Sequence, residues 1–301
     1  MVGLQVSADR GDHFAVGVAP SHEPAFASDD PGHLVLHCVV RPESCQNVGM
    51  TLAPGPVNRI QLCGGCVLEW DGVRLDDRLP GRQGRLLFAY LVLNRHRSTT
   101  RAELAEALWS REHPAAAEAG INALLSKLRR ILGPGVVDGR SSLHLRLSRD
   151  TDVDVETAVS AVHRAESRVA LGEFKNAWAP SLTALFIAER ELLPGESAPW
   201  IDEHRVRMED VRLRALEAHA AAAYGTGGTE LPGAVRTGRR LIQLAPLRET
   251  GYQILMQALA RQGNVAEALG VYSRLRDILR DELGVSPSAE TQAVYDHLLH
   301  S

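Results

Sequence analysis

Apolar and polar positions change period several times along this chain, and each change marks a predicted element. Between residues 59 and 75 three short β-prone runs, Arg59–Cys63, Val67–Trp70 and Val73–Leu75, are separated by Gly64-Gly65 and Asp71-Gly72. An Asp-Gly pair between apolar runs is a strong hairpin signal, because both turn positions favour positive φ. The spacing predicts a small antiparallel meander. Arg82–Asn94 then reads as a helix burying Leu86, Leu87, Tyr90, Leu91 and Leu93. Thr100 followed by Glu103 has the spacing of a capping box and starts a helix over Arg101–Trp109. The next stretch, Ala115–Leu132, places Ile121, Leu124, Leu125, Leu128, Ile131 and Leu132 on one helical side. Glu118, Asn122, Ser126, Arg129 and Arg130 fall away from that side, and Gly133-Pro134-Gly135 ends the helix. Val136-Val137 and Leu143–Leu147 flank Asp138-Gly139-Arg140, which predicts a second hairpin.

Beyond Asp150–Asp154 (DTDVD), read as an acidic joint, the 3.6-residue period takes over. Helices are predicted near 155–171, 173–190, 198–225, 230–245, 248–262, 264–283 and 288–299. Two of these align at a shift of 34 residues, with Ala234 and Leu241 answering Ala268 and Leu275. Tyr252, Leu255, Gly263, Ala268, Tyr272 and Leu275 follow the tetratricopeptide pattern of large and small residues on paired helices. Residues 1–56 show no sustained period apart from one possible strand, His33–Val40, and read as an irregular arm. Three regions result: the arm at 1–56, a mixed module at 57–150, and a helical module at 151–301. The fold class is α+β, a winged helix-turn-helix followed by an all-α tetratricopeptide-like repeat domain.

Charge sharpens this division. Residues 1–56 carry two Arg against six acidic side chains, 57–150 carry 15 basic against 10 acidic, and 151–301 carry 16 against 21. The positive excess therefore sits with the Ala115–Leu132 helix, as expected of a nucleic-acid-binding module. No apolar run approaches the roughly 18 residues of a membrane span. No basic-then-apolar leader opens the chain, so a cytoplasmic protein is expected, with no membrane partner.

The polar side of the Ala115–Leu132 helix carries the candidate chemistry. Arg can fork to guanine, Asn can pair with adenine, and Ser or Lys can hold phosphate. Asn122, Ser126 and Arg129 are expected nearest base edges. Lys127 and Arg130 flank them, and Arg140 and Arg146 in the hairpin would grip the backbone. Cys63-Gly64-Gly65-Cys66 has CxxC spacing, and Cys38 and Cys45 lie upstream. It falls on a strand and turn, however, and the cysteines are read as small strand residues. GxxxxGK[ST] does not occur, no GxGxxG opens a helix, and no HxxxH or HxH falls on a predicted helix, so no cofactor, metal or enzymatic activity is expected. Arg205, Arg207, Arg212 and Arg214, beside Glu203, Glu209 and Asp210, read as a solvated, ion-paired helix face.

The order meander, three helices, hairpin resembles the OmpR/PhoB-type winged helix. As a whole the chain resembles the Streptomyces antibiotic regulatory protein family. The resemblance rests on RIQLCGGCVLEWDGVRL, LPGRQGRLLFAYLVLNRH, TTRAELAEALW, INALLSKLRRIL and LAPLRETGYQILMQALARQGNVAEALGVYSRLRDILRDELGVSPS. It implies a pathway-specific transcriptional activator of antibiotic biosynthesis. Such a protein binds direct repeats near the −35 element of double-stranded promoter DNA, as a homodimer or side-by-side protomers, and recruits RNA polymerase holoenzyme. By the same resemblance Ser126, Lys127, Arg129 and Arg130 match the core of the recognition helix, and Arg82 and Arg85 a basic entry to the first helix. The chain departs from the pattern at Glu118-Ala119, Leu124 and Ser142-Leu143. Glu118, on the DNA-facing side, would repel phosphate. That motivates an alternative: a protein-interaction adaptor whose winged helix has lost DNA affinity.

Overall fold

The computed structural model describes residues 58–109 and 116–300. The arm at 1–56, with its expected strand His33–Val40 and with Cys38 and Cys45, lies outside the described residues, as does the loop around Pro114. The described residues belong to one compact unit.

The meander forms as β1 (Asn58–Gln61), β2 (Val67–Trp70) and β3 (Val73–Arg74). β1 and β2 pair antiparallel with Ile60 opposite Leu68, and both side chains are fully buried. Asp71 and Gly72 turn the β2–β3 hairpin with φ of 49° and 73°, the positive values that an Asp-Gly turn requires. Helix α1 (Gly81–Leu93) buries every residue from Leu86 to Val92 and not one face alone. A helix apolar all round is a core helix, and the remaining elements assemble about it. The capping box opens α2 (Arg101–Leu108): Thr100 Oγ1 accepts from Glu103 N at 3.2 Å, and Glu103 Oε2 accepts from Thr100 N at 2.6 Å. α3 spans Ala117–Leu132. A three-stranded sheet follows, in which β4 (Thr99–Thr100) and β5 (Val137–Asp138) flank β6 (Ser142–Leu145).

The DTDVD stretch corrects the reading of a joint. Thr151–Val153 is a strand, β7, and pairs parallel with β1, completing a β3-β2-β1-β7 sheet. Asp154 then opens helix α4 (Asp154–Ala170), with its carboxylate buried under the meander. Oδ1 accepts from Leu62 N at 3.0 Å and from Val155 N at 2.8 Å, and Oδ2 accepts from Cys63 N at 2.9 Å. Burial pushes this carboxyl above its ordinary pKa, against the opposing pull of those N–H groups and of Arg190.

The helices continue as α5 (Phe174–Ala188), α6 (Pro199–Thr226), α7 (Leu231–Leu244), α8 (Glu249–Arg261), α9 (Val265–Leu283) and α10 (Ala289–His300). Consecutive helices pack on each other, and α6 also meets α4 and α8. The positions matched by the 34-residue shift, Ala234, Leu241, Ala268 and Leu275, are all fully buried. Gly263 takes φ of +84° in the α8–α9 turn, and Tyr272 stacks on Tyr295 at 4.0 Å.

The α5–α6 connection returns to the meander. Cys63 bridges Leu192, Leu193 N donates to Leu62 O at 2.9 Å, and Gly64 N donates to Glu191 O at 2.8 Å. Trp200 of α6 donates to Ala107 O at 3.0 Å and meets Tyr90 edge-on at 5.2 Å. One hydrophobic cluster therefore runs from Ile60 through α1 and α3 to Leu216. The arginine face of α6 is ion-paired as expected, Arg207 with Glu203, Arg212 with Glu209 at 2.9 Å and Arg214 with Asp210 at 3.5 Å, but two of its arginines also reach other elements. Arg205 donates to the carbonyls of Leu192, Leu193 and Glu196, and Arg214 forks onto Glu166 of α4 at 2.7 and 2.6 Å.

Asp154→Ala would leave the buried N–H groups of Leu62 and Cys63 without acceptors, and is expected to lower stability by about 2–4 kcal/mol in chemical denaturation. Asp154→Asn keeps one acceptor and should cost less. At the far end, Glu249 accepts from Ser288 N, Ser288 Oγ and Thr291 Oγ1 and so holds the start of α10. Burial raises the Glu249 pKa, but the Thr291 and Ser288 donors outweigh it and the net shift is downward. A depressed carboxylate pKa gives stabilisation that is complete above the unfolded value of about 4.3 and lost as pH falls through the folded value. Amide exchange in α10 should therefore accelerate on acidification below about pH 4, and Glu249→Gln should remove that pH dependence.

Candidate nucleic-acid interface

α3 turns Ile121, Leu125, Leu128 and Leu132 into the core and leaves Asn122, Ala123, Ser126, Lys127 and Arg130 exposed. These exposed positions recur three and four apart, so they form one stripe along the helix. Among the described residues, no hydrogen bond or ion pair engages the side chains of Ser126, Lys127 and Arg130. Glu118 is exposed near the start of the helix, and Lys127 and Arg130 are exposed toward its end.

Arg129 is not on this stripe, contrary to expectation. It is half-buried, donating from Nε to Val137 O at 3.0 Å and from Nη2 to Gly139 O at 2.6 Å. Its fork fastens the β5–β6 hairpin to α3. The hairpin turn needs glycine at 139, where φ is +94° and a Cβ would lie 1.9 Å from Ser142 O. Arg140, in that turn, has an exposed side chain, whereas Arg146 pairs with Asp138 at 3.0 Å.

Arg82 and Arg85, at the start of α1, lie apart from the α3 stripe. Arg82 donates to Glu196 at 2.6 Å, toward the α5–α6 connection. Arg85 is half-buried on the meander side of α1, close enough to Cys66 to oppose the rise of its pKa. Arg101 was missed by the sequence reading. Its Nη1 donates to Asn122 Oδ1 at 2.7 Å and its Nε to Arg140 O at 2.6 Å, joining α2, α3 and the hairpin turn. A basic residue directly after an N-cap was the available signal, since the helix dipole disfavours it there. The remaining positive face thus comprises Arg101, Lys127, Arg130 and Arg140.

The CxxC cysteines are packed into the structure. Burial pushes the Cys63 thiol up to about 12, with the Asp154 charge adding to it, and burial pushes Cys66 up to about 12 against the opposing Arg85 charge. Among the described residues no group of three or more His, Cys, Asp or Glu is placed to hold a metal, and no helix is long and apolar enough to cross a membrane.

Comparison with known proteins places this geometry. The model of the bacterial transcriptional activator domain matches residues 153–299, beginning inside β7. Regulatory protein AfsR of Streptomyces coelicolor is 34% identical over 239 residues, covering 79% of this chain and 24% of AfsR. Regulatory protein DnrI of Streptomyces peucetius is 26% identical over 236 residues, covering 73% of this chain and 83% of DnrI. The helical half thus matches the bacterial transcriptional activator domain, and the chain as a whole is similar to the regulators AfsR and DnrI. It spans about a quarter of the length of the AfsR proteins it matches. Among solved structures, Mycobacterium tuberculosis EmbR in complex with a low affinity phosphopeptide superposes with a TM-score of 0.71 at 24% identity. That match covers 81% of this chain and 65% of the EmbR chain, so the two share a fold.

Arg129→Ala is expected to act as a structural lesion. Two hairpin carbonyls lose a charged donor, and stability should fall by about 1–3 kcal/mol, with faster amide exchange in β5 and β6 as the local readout.

Proposed function

We propose that this protein is a DNA-binding transcriptional activator, in which residues 57–150 form a winged helix-turn-helix module and residues 151–301 a tetratricopeptide-like activator domain. The observation that carries the reading is the exposed α3 stripe of Asn122, Ser126, Lys127 and Arg130, free of acidic partners beside a hairpin held in place by Arg129. An α-helix of this kind enters a major groove with its polar side on base edges, while a flanking hairpin reaches the phosphates. In this assignment α3 is the recognition helix, β5–β6 is the wing, and Arg140 is the wing's phosphate contact. Arg101 takes the place first given to Arg82 and Arg85.

The relatives are regulators by name, which supports action on promoter DNA in a biosynthetic gene cluster, with RNA polymerase as the partner of the helical domain. Side-by-side protomers on direct repeats are the arrangement that fits the family. The helical domain is welded to the DNA-binding module, so polymerase contact would be made by a body of fixed orientation on the promoter.

Lys127→Ala and Arg130→Ala should each weaken binding to duplex DNA and reduce the slope of log affinity against log salt by about 1, if each neutralises one phosphate. Fluorescence anisotropy on promoter fragments from the adjoining gene cluster, titrated from low to high salt, measures this. Binding that is absent or insensitive to salt would replace this reading with that of a protein-interaction adaptor.

A further inference from the structure

We infer that Arg101 is a positioning residue for base recognition, fixing the Asn122 amide in one orientation and locking it to the wing turn. This rests on the DNA-binding reading above and names a determinant of its specificity. Arg101 is the first residue of α2, directly after the N-cap Thr100. A cation there opposes the helix dipole, so helix formation does not account for it. Its partners do. Nη1 donates to Asn122 Oδ1 at 2.7 Å, and Nε donates to the Arg140 carbonyl at 2.6 Å. No ion pair engages Arg101 among the described residues, so its charge is left on the same face as Lys127 and Arg130.

The chemistry of the guanidinium makes this a constraint and not a chance contact. Its donors are fixed in one plane, so two acceptors bound on different elements are held in fixed relation to each other. A free surface Asn rotates about its last torsion and offers either its oxygen or its amino group to a base. With Oδ1 turned to Arg101, the Asn122 amide has a set orientation before DNA arrives, and its Nδ2 donors are presented from the exposed stripe. Preorganisation of this kind sharpens discrimination because the wrong base meets a group that cannot turn to suit it. The second bond places the wing turn, with the exposed Arg140 side chain, relative to that same amide. Phosphate contact and base contact are thereby tied through one side chain.

The test is selection of preferred duplexes from a randomised library by the wild-type protein. Affinities are then measured for Arg101→Ala, Arg101→Lys, Asn122→Ala and the Arg101→Ala/Asn122→Ala double variant on that duplex and its single-base-pair substitutions. Asn122→Ala should flatten discrimination at one base-pair position. Arg101→Ala should reduce discrimination at that same position by about tenfold, and should have no further effect on it once Asn122 is gone. Arg101→Lys keeps the charge but not the fork, so it should retain the wild-type salt slope while losing the discrimination. If Arg101→Ala lowers affinity equally for all sequences and leaves the base profile intact, Arg101 is a phosphate contact only and the inference fails. If the wild-type protein selects no duplex at all, the DNA-binding reading itself fails.

Discussion

The parallel pairing of β7 with β1, sealed by the Asp154 carboxylate, is the constraint on which the arrangement of this protein depends. A parallel neighbour needs a long connection, and here the connection runs from β2 to β6. The carboxylate sits where the chain returns to β1, accepting from Leu62 and Cys63 just after that strand and from Val155 at the start of α4. Burying a carboxylate is unfavourable, and three N–H donors are what makes it tolerable there. The consequence is mechanical. With Leu193 bonded to Leu62, Trp200 bonded to Ala107 and Arg82 paired with Glu196, the helical half and the candidate DNA-binding module lack the independence of domains on a linker.

Within the module, cations divide by what they touch. Arg129 uses its planar fork on two backbone carbonyls and Arg101 on one carbonyl and the Asn122 side-chain oxygen, as Arg205 does on carbonyls in the helical half, a task that a lysine ammonium performs poorly. Lys127 and Arg130 have no such partners among the described residues and remain as surface charge. The residues that build the interface and those that offer it to a ligand are thus interleaved on the same helix, at adjacent positions 129 and 130.

That interleaving explains what was legible in the sequence and what was not. The boundaries of α4 to α10 were readable to within about three residues, because each amphipathic period is interrupted by Gly or Pro where the chain must turn. The meander and both hairpins were readable from Asp71-Gly72 and Asp138-Gly139. The capping box was explicit in Thr100 and Glu103. By contrast, a three-residue strand has no period of its own, and Thr151–Val153 is a strand only because β1, 93 residues earlier at Asn58, lies beside it. Arg129 and Arg130 are chemically identical in sequence. Only the return of the hairpin, which brings the Val137 and Gly139 carbonyls to one of them, separates a structural arginine from an exposed one. The Arg82 ion pair was not legible for the same reason, since Glu196 reaches it across 114 residues.

A rigid connection also gives the charge imbalance a use. The basic excess of residues 57–150 and the acidic excess of residues 151–301 belong to one body and not to two tethered ones. A body with separated charge experiences a torque in the field of a duplex: its acidic part is driven from the phosphates while its basic face is drawn toward them. Were the halves flexibly linked, the basic module would orient alone and the helical half would sample many positions. Joined through β7, Asp154 and Trp200, the halves would turn together, so that under the proposed function orienting α3 on DNA would orient α4 to α10 as well. Under the proposed function the acidic half would exclude wrong approaches, and Glu118 at the start of α3 would extend that exclusion to the helix, leaving the exposed Ser126, Lys127 and Arg130 to meet a negative ligand.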